Sequence, residues 1–379
     1  MSRLKDLMAE LCPDGVEYKE FKSVLKTVKK INWDNKKGSL RYIDLSSVDR
    51  EQHEICDTIE IDASSAPSRA QQIVQADDVL IGTTRPMLKR FCLVPLSFDG
   101  QICSTGFCVL RANENVLPHW IYHLVSTNDF FDYVEKNQHG SAYPAISDKD
   151  IKGYQIPVPP LPVQREIVRI LDNFTELTAE LTAELTARKK QYEYYRDRLL
   201  TFTGGRVEWK TLGEMGIIKS GRNKSRQENG IYPVYGSTGL IGRTNEYSVD
   251  GDCILIARVG ANAGLVNFVT GKFDVSDNTL VFSLNSRSML KFIFYLLVNM
   301  NLNRFVKGGG QPLLTASQLA KIEIPIPPLS EQRRIVSILD HFDALTHDLA
   351  SGLPAEIAAR EKQYAYYRDK LLSFPRKEM

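Results

Sequence analysis

Apolar side chains recur at spacings of three and four along two long segments of the chain. In the first segment they are Ile167, Ile170, Phe174, Leu177, Leu181, Leu185, Tyr192, Tyr195, Leu199 and Phe202. Such spacing gives a helix one apolar seam, and residues 163–202 as a single helix span ~60 Å at 1.5 Å per residue. A helix of that length needs a partner helix that buries its seam.

A second segment with the same spacing supplies that partner. Its apolar residues are Ile335, Ile338, Leu339, Phe342, Leu345, Leu349, Ile357, Tyr364, Tyr367, Leu371 and Phe374. Ser330 is predicted to cap the start of this segment, with Glu331 in the first turn facing the positive end of the helix. Residues 351–354, Ser-Gly-Leu-Pro, predict a break that divides the segment into two helices.

The two segments are copies of one sequence. The residues that recur 168 positions later are Ile156, Pro157, Pro159, Pro160, Leu161, Gln164, Arg165, Ile170, Leu171, Asp172 and Phe174. Those that recur 172 positions later are Lys190, Gln191, Tyr192, Tyr194, Tyr195, Arg196, Asp197, Leu199 and Leu200. A solenoid is excluded because its units must contact their neighbours, whereas a different sequence separates these copies. The pattern predicts two globular units spaced by two matching helices.

The stretches that precede the two helical copies are also related, although more weakly. The matched pairs are 16–19 with 207–210, 77–81 with 250–256, 120–124 with 292–296, and 139–144 with 307–312. Each stretch predicts a mixed α/β globule with short strands, turns and one apolar helix. The two globules share an outline and differ in most side chains, which indicates two related targets that are not identical.

Composition narrows the class of protein. The net charge of +2 argues against a protein that coats nucleic acid nonspecifically, but not against a reader with clustered basic groups. Six cysteines without a C-x-x-C pair, and no secretory signal, predict a reduced cytosolic compartment. The most apolar run, residues 290–300, is about half of the ~20 residues that a membrane span needs, so a buried helix is predicted there.

Signatures of catalysis are missing from the sequence. It contains no Gly-x-x-x-x-Gly-Lys-Ser/Thr loop for NTP hydrolysis, and no Asn-Pro-Pro-aromatic motif of an amino-methyltransferase. His119 and His123 lie four apart on a predicted helix, but with no nearby Cys or third His we favour a packed or solvated helix face over a metal site. Residues 260–264, Gly-Ala-Asn-Ala-Gly, are predicted to form a turn and not a dinucleotide site. We therefore predict a binding protein with no catalytic residue, metal or cofactor of its own.

Several motifs of the repeat resemble one family. The duplicated IP-x-PPL-x-x-Q-x-x-IV-x-ILD-x-F segment, the KQY-x-YYRD-x-LL-x-F helix end and the Thr-Ala-Glu-Leu tetrads at 178–185 resemble the specificity subunit of type I restriction–modification systems. The YPVYGSTG run at 232–239 also resembles a motif of a target recognition domain. The resemblance covers essentially the whole chain.

The resemblance implies an α+β fold, in which two similar mixed α/β target recognition domains are separated by two long helices that form an antiparallel coiled coil. The expected domains are 1–155 and 204–323, and the expected repeated helices are 156–203 and 324–379. Each domain would read one half of a bipartite DNA site. The chain would dock two methyltransferase subunits and restriction subunits, in the cytoplasm of a bacterium or archaeon. S-adenosylmethionine would belong to the methyltransferase, and ATP and Mg to the restriction subunit.

Candidate DNA contacts in the first domain lie in two basic loops. The loop 83–90 follows the apolar strand 79–81, and its candidates are Thr84, Arg85, Lys89 and Arg90. Arg85 suits a bidentate guanine contact, whereas Lys89 and Arg90 suit phosphates. The second cluster, around Gly38, consists of Lys36, Lys37 and Arg41. The alternative for each cluster is an ordinary solvated loop.

Candidates in the second domain are more scattered. They are Arg222, Lys224, Arg226, Tyr235, Ser237, Arg258, Lys307 and Gln311. Arg258 follows an apolar strand and is predicted to occupy a place like that of Arg85. Lys307 and Gln311 flank three glycines whose backbone amides can approach phosphates closely, although a plain glycine turn explains them nearly as well.

Three other functions stay open at this point. A free-standing DNA-binding regulator with two reading heads would bind its site tightly alone, whereas a specificity subunit would need methyltransferase subunits. A pure scaffold coiled coil is disfavoured by the two basic loops that follow strands. An orphan methylation system would keep the family and lack the nuclease.

Overall fold

The computed structural model describes residues 2–202, 207–223, 227, 229–284, 287–306, 312–348 and 351–377. The chain forms two compact units. The first unit comprises Met1–Glu180 and Ile357–Met379, and the second comprises Leu181–Glu356. Each unit therefore contains parts of both helical copies.

The first unit begins with a helix and then builds its sheets from short strands. Its complete helices are α1 (Ser2–Leu11), α2 (Pro118–Val125), α3 (Asn128–Asn137) and α4 (Asp148–Lys152). Its strands are β1 (Tyr18–Glu20), β2 (Leu40–Ile43), β3 (Ile59–Ile61), β4 (Ala70–Ile73), β5 (Val79–Gly82), β6 (Phe91–Leu93), β7 (Ile102–Ser104), β8 (Phe107–Leu110) and β9 (Gln155–Pro157).

Strand β5 lies at the centre of the first unit. It is flanked by β6 and β8 in a three-stranded sheet, and all four of its residues are buried, as an unbroken apolar run predicts. A second sheet has the order β3-β2-β7-β4, and β1 pairs with β9. One face of the central sheet packs on α2 and α3, with Trp120 and Phe130 fully buried.

Helix α5 (Leu161–Leu200) has 40 residues, so a span of about 60 Å follows from 1.5 Å per residue. The sequence prediction of one long helix is confirmed. Gln164 fixes its start, since its side-chain amide donates to the Pro159 carbonyl at 2.8 Å. Its residues up to Glu180 belong to the first unit and the rest to the second.

The second unit repeats the plan of the first. Its complete helices are α6 (Leu212–Met215), α7 (Arg287–Met300), α8 (Ala316–Ala320) and α9 (Leu329–His347). Its strands are β10 (Glu208–Thr211), β11 (Ile217–Ser220), β12 (Tyr232–Gly236), β13 (Gly239–Thr244), β14 (Val249–Asp250), β15 (Cys253–Ala257), β16 (Val266–Val269), β17 (Lys272–Val275), β18 (Thr279–Ser283) and β19 (Glu323–Ile326).

Its sheets repeat those of the first unit, with one additional strand, β11, paired at the edge with β18. Strand β15 lies between β16 and β18, as β5 lies between β6 and β8. A parallel strand pair also recurs, because β12 beside β17 corresponds to β2 beside β7. Strands β10 and β19 repeat the pairing of β1 and β9. The weak sequence relation between the two halves therefore reflects one shared fold.

The second helical copy is broken, as predicted. Helix α9 ends at His347 and α10 (Leu353–Leu372) begins after Gly352. Phe174 on α5 stacks on Tyr367 within the first unit, and Tyr195 on α5 stacks on Phe342 within the second. Within each unit, a ring of α5 therefore packs on a ring of the second helical copy.

The predicted cap at Ser330 is wrong. Helix α9 begins at Leu329 after Pro328, which makes no side-chain capping bond. Gln332 holds this end instead, since its side-chain amide donates to the Pro327 carbonyl at 2.8 Å. Gln332 and Gln164 therefore make the same hydrogen bond, to the carbonyl of a proline five residues earlier, at the start of the helix in each copy. Among the described residues, no helix combines the length and apolar content that crossing a membrane demands.

Candidate nucleic-acid interface

The loop that follows β5 is tied to its own unit by backbone hydrogen bonds. The amide of Arg85 donates to the carbonyl of Pro144 at 2.7 Å, and the amide of Ile146 donates to the carbonyl of Thr83 at 2.9 Å. The Thr83 hydroxyl donates to Gly106 at 2.9 Å. A buried strand and these hydrogen bonds hold the loop 83–90 in place, as a loop that recognises DNA bases would require.

Two residues of this loop have left-handed backbone conformations. Arg85 has φ 48° and Lys89 has φ 53°, and they flank a short 3-10 helix at Pro86–Leu88. Both side chains are exposed. The Arg85 guanidinium lies 4.7 Å above the ring of Tyr143, and the Lys89 ammonium lies 4.9 Å from the ring centre of Phe131.

The other predicted residues of the first unit differ in how free they are. Thr84 and Arg90 are half-buried, and the Nε atom of Arg90 is buried without a partner among the described residues. Lys36 and Lys37 are exposed. Arg41 is committed to its own unit, because its guanidinium lies 4.0 Å above the ring of Phe98 and donates to the carbonyl of Ser97. The Arg41 side chain is therefore engaged within its unit, whereas the side chains of the two lysines are exposed.

Strand pairing fixes how the loops of the two units correspond. Val79 pairs with Leu110 in the first unit, and Ile254 pairs with Phe282 in the second. Counting from these pairs puts Arg258 at the place of Thr83, and not at the place of Arg85. The prediction for Arg258 is thus displaced by two residues, since the strand ends could not be aligned from the sequence alone.

The residue at the place of Arg85 is Gly260. Its amide donates to Pro312 at 3.2 Å, as that of Arg85 donates to Pro144. Its φ of 78° also lies in the left-handed region. By the same count Gly264, with φ 94°, corresponds to Lys89. One loop geometry therefore carries two cations in the first unit and two glycines in the second.

The other candidates of the second unit that the structure describes do not form one cluster. Arg258 is half-buried and makes long hydrogen bonds, of 3.5 Å to Ser220 and 3.4 Å to the Asp277 carbonyl. Arg222 is exposed, and Ser237 is half-buried between β12 and β13. The ring of Tyr235 meets that of Phe273 edge-on at 5.6 Å, so it packs inward. The candidates that lie outside the described residues are Lys224, Arg226, Lys307 and Gln311.

Tyr143 lies beside the candidate residue Arg85, and the sequence did not single it out. It lies in the segment 139–145, whose ends pair with each other through His139 and Ala145. Ala145 also forms a β-bridge with Thr84 in the loop 83–90. Tyr143 is 71% exposed, which is unusual for a large aromatic side chain. The signal was present as an aromatic residue before Pro144, but its neighbour Arg85 is distant in sequence.

Each helical copy is anchored to a globule through an aspartate at the same repeat position. Asp172 accepts from His119 at 3.0 Å and from His123 at 2.8 Å. In the second unit Asp340 accepts from Lys291 at 2.6 Å and from the Tyr295 hydroxyl at 2.6 Å. The two anchors have the same geometry, although their donors differ.

Burial and hydrogen bonding set the charges at the first anchor. Burial lowers the pKa of His123, and the hydrogen bond with Asp172 raises the pKa of His119. Burial tends to raise the pKa of Asp172, but the bonds from both histidines outweigh it and bring the pKa to about 2. His123 therefore stays neutral; its Nε2–H donates to the Asp172 carboxylate, and its Nδ1 accepts from the Tyr364 hydroxyl at 2.9 Å.

The three residues of this anchor also have the composition of a metal site. The ligand atoms of His119, His123 and Asp172 lie within 4.8 Å of one another. Hydrogen bonds among the three already account for these ligand atoms. The second unit has Lys291 and Tyr295 at the histidine positions, so the same junction forms there with a lysine that binds no metal. We therefore interpret the cluster as a structural junction.

The repeated helices also expose two equivalent tyrosines. Tyr194 is 58% exposed and Tyr366 is 59% exposed. Each is accompanied by a cation one turn later: Arg198 donates to the Tyr194 hydroxyl at 3.2 Å, and the Lys370 ammonium lies 5.6 Å from the ring centre of Tyr366. Side chains that the duplication keeps and the core does not bury are suited to binding a partner.

Comparison with known proteins agrees with the internal duplication. A family model described as the type I restriction modification DNA specificity domain matches the chain twice, over residues 13–188 and 206–359. The matches cover both units and more than half of the chain.

Relatives and solved structures carry related descriptions. The specificity subunit of the type I restriction enzyme EcoR124I/EcoR124II from Escherichia coli is 37% identical over 321 residues, which are 75% of this chain and 78% of that protein. A putative type I restriction enzyme specificity subunit from Haemophilus influenzae is 33% identical over 296 residues, 70% of this chain and 74% of that protein. A solved structure concerning complex assembly and conformational transition of the type I R-M system contains a chain with 26% identity and a TM-score of 0.65; the match covers 96% of this chain and 98% of that one.

Proposed function

Because the chain belongs to the family of type I restriction–modification specificity subunits, we propose that it reads a bipartite DNA site with one domain per half-site. Residues 1–155 and 204–323 are the two target recognition domains in this proposal, and 156–203 and 324–379 are the repeated helices. The observation that carries it is the shared loop register, in which one backbone frame bears different side chains in the two units.

Different side chains on one frame are what two different half-sites require. The first unit offers the exposed cations Lys36, Lys37, Arg85 and Lys89, whereas the second has Gly260 and Gly264 at the corresponding loop positions. Cations supply phosphate contacts and base-edge contacts. The proposed DNA contacts are Lys36, Lys37, Arg41, Thr84, Arg85, Lys89, Arg90, Arg222, Lys224, Arg226, Tyr235, Ser237, Arg258, Lys307 and Gln311. Of these, Arg41 and Tyr235 would have to leave their contacts with Phe98 and Phe273 to bind DNA.

The helical copies are proposed to dock two copies of a methyltransferase subunit. A duplicated surface offers the same partner two equivalent sites, and Tyr194 and Tyr366 have matching exposure at equivalent positions. Restriction subunits would join this complex. We propose that the chain itself catalyses nothing, that S-adenosylmethionine binds in the methyltransferase, and that ATP and Mg bind in the restriction subunit. A chain with a net charge of +2 also gains electrostatic affinity for DNA from such partners.

The test uses the full chain with and without the methyltransferase subunit of its own system. Both preparations receive S-adenosylmethionine and a duplex DNA library with random sequence, and methylated bases are mapped by single-molecule sequencing. We expect methylation of one two-part motif with the complex and none with the chain alone. Arg258→Ala is expected to relax only the half-site of the second domain.

Two results would overturn the proposal. Tight binding of the chain alone to a site, without any methylation by the complex, would favour a regulator. A complex with one methyltransferase subunit per chain that methylates at the normal rate would exclude two equivalent docking surfaces.

A further inference from the structure

Arg85 and Lys89 keep bulky side chains at positions where the backbone favours glycine. Both are left-handed, a conformation that is unfavourable for residues with a Cβ atom. The second unit meets the same backbone demand with Gly260 and Gly264. At Gly260 space alone does not decide the residue, because no atom lies within 4 Å of a Cβ built there. Arg85 is therefore retained against a conformational cost, which indicates a use for its side chain.

The side chain of Arg85 makes few contacts with the described residues of its own unit. Its guanidinium makes no hydrogen bond or ion pair with the residues that the structure describes, and it lies 4.7 Å from the ring centre of Tyr143. A guanidinium held over an aromatic ring is restricted in orientation, while its N–H donors remain available to another partner. Such an arrangement suits bidentate donation to a planar acceptor pair such as the O6 and N7 atoms of guanine.

Tyr143 is held beside Arg85 by the backbone. Gly140 turns the segment with φ 93°, and His139 and Ala145 close it. Pro144 then accepts the amide of Arg85 at 2.7 Å. The ring is 71% exposed, so it contributes little to the core of the unit. Its position is consistent with support of the neighbouring guanidinium.

We propose that Tyr143 is a positioning residue for Arg85 and thereby determines specificity in the first half-site. The ring restricts the guanidinium of Arg85 before DNA binds. The conformational entropy of this long side chain is therefore lost before binding and does not weaken the affinity for DNA. This inference rests on the proposed function and names the residue pair through which the first domain selects a base. The second unit, with Gly260 in this place, reads its half-site by other groups.

The experiment measures base preference in the complex of the full chain with its methyltransferase subunit. The DNA library keeps one half-site constant and randomises the other, and then the reverse. The variants are Arg85→Gly, Tyr143→Ala, Tyr143→Phe and the double variant Arg85→Gly with Tyr143→Ala. Leu96→Ala is the matched control, because Leu96 is an apolar residue of the same unit that is 80% exposed.

We expect Arg85→Gly and Tyr143→Ala to reduce discrimination at the same base pair of the first half-site, by roughly tenfold or more for the arginine. Tyr143→Phe keeps the ring and should keep the preference. The double variant should lose no more than Arg85→Gly alone, since both changes remove one contact. Leu96→Ala and the second half-site should be unaffected.

Stability provides the second measurement. Arg85→Gly should unfold at the same or a higher temperature than the parent, because glycine relieves the left-handed strain while recognition is lost. The proposal fails if Tyr143→Ala leaves the preference intact, if Tyr143→Phe is as damaging as Tyr143→Ala, or if the two single changes alter different base pairs. Failure of the parent complex to methylate any two-part site would instead count against the proposed function.

Discussion

The ring of Phe174 stacks on that of Tyr367 with centroids 5.5 Å apart and planes 21° apart. The repeat equivalents Phe342 and Tyr195 stack in the same way, at 5.7 Å and 27°. A second pair also recurs. The ring centroids of Trp120 and Phe374 lie 6.1 Å apart in the first unit, and those of the equivalent residues Phe292 and Phe202 lie 6.4 Å apart in the second. The duplication therefore preserved two kinds of contact: one between the two helical copies, and one between a helical copy and the apolar helix of a globule.

Removal of either stacked tyrosine should destabilise the chain. Tyr367→Ala is expected to lower the free energy of unfolding by roughly 1–3 kcal/mol, from lost ring stacking and lost apolar burial. Tyr195→Ala should cost less, because Tyr195 is 37% exposed. Urea unfolding of the full chain, followed by circular dichroism, measures both changes.

The neighbouring tyrosines are the matched controls. Tyr194→Ala and Tyr366→Ala remove side chains that are more than half exposed, so each should change stability by less than about 0.5 kcal/mol. The same two variants should weaken binding of the methyltransferase subunit. Equal destabilisation by the control and the stacked positions would contradict the assignment of Tyr367 and Tyr195 to the helix seam.

The anchor at Asp172 predicts a pH-dependent effect. Its pKa of about 2 lies below the ordinary value of 3.8, so the anchor stabilises the fold above about pH 4 and loses this contribution as pH falls through 2. Asp172→Asn should therefore cost roughly 1–2 kcal/mol at pH 7 and progressively less below pH 4. Urea unfolding of parent and variant between pH 7 and pH 3 measures the difference.

The two histidines change stability in opposite directions. The raised pKa of His119 gives a contribution that is complete below pH 6.5 and is lost as pH rises through its folded pKa. The lowered pKa of His123 means that acid destabilises the fold below pH 6.5, where the unfolded ring takes up a proton more readily.

For Asp172→Asn, a stability difference from the parent that stays constant down to pH 3 would show that the carboxylate charge does not hold this junction.

Much of the fold was predictable because the duplication works as an internal comparison. The long helix α5, the break before Leu353 and the buried helix α7 each follow from local spacing, caps and composition. Ser330 misled the prediction of the α9 start, since Gln332 secures that end through a carbonyl five residues earlier. Side-chain bonds of this kind depend on how Pro327 turns the chain, which propensity does not report.

The site was less predictable because it depends on pairings that are distant in sequence. Asp172 meets His123 across 49 residues, and Tyr143 meets Arg85 across 58 positions of sequence. The error of two residues at Arg258 has the same origin, because only the pairing of β15 with β18 fixes the strand end. Local patterns found the basic loops, but not which side chains stay free in them.

The glycines of the second loop predict two distinct costs. A Cβ built on Gly264 would lie 2.5 Å from the Asn303 amide nitrogen, whereas one on Gly260 meets nothing within 4 Å. Gly260→Ala should therefore cost about 1 kcal/mol, from the left-handed backbone alone. Gly264→Ala should cost more, because Asn303 or the loop must move as well. Thermal unfolding compares the two, and equal costs would contradict the close approach at Asn303.

The Thr-Ala-Glu-Leu tetrads at 178–185 lie within α5, and they predict how the distance between half-sites can be changed. A third tetrad adds four residues, or ~6 Å of helix. One base pair adds ~3.4 Å along the duplex. The spacer between half-sites should therefore widen by up to ~2 base pairs, and tilt of the helix would reduce this toward one.

The inserted tetrad should leave both half-site sequences and the helix seam in place. Four residues are slightly more than one turn, so the added leucine stays on nearly the same face and stability falls only modestly. Rotation sets a second limit, since each added base pair turns the second half-site by about a tenth of a turn. Methylome sequencing of cells that carry the insertion variant and its methyltransferase subunit, beside the parent, measures the spacer directly. An unchanged spacer with full methylation would show that α5 does not set the distance between the two reading domains.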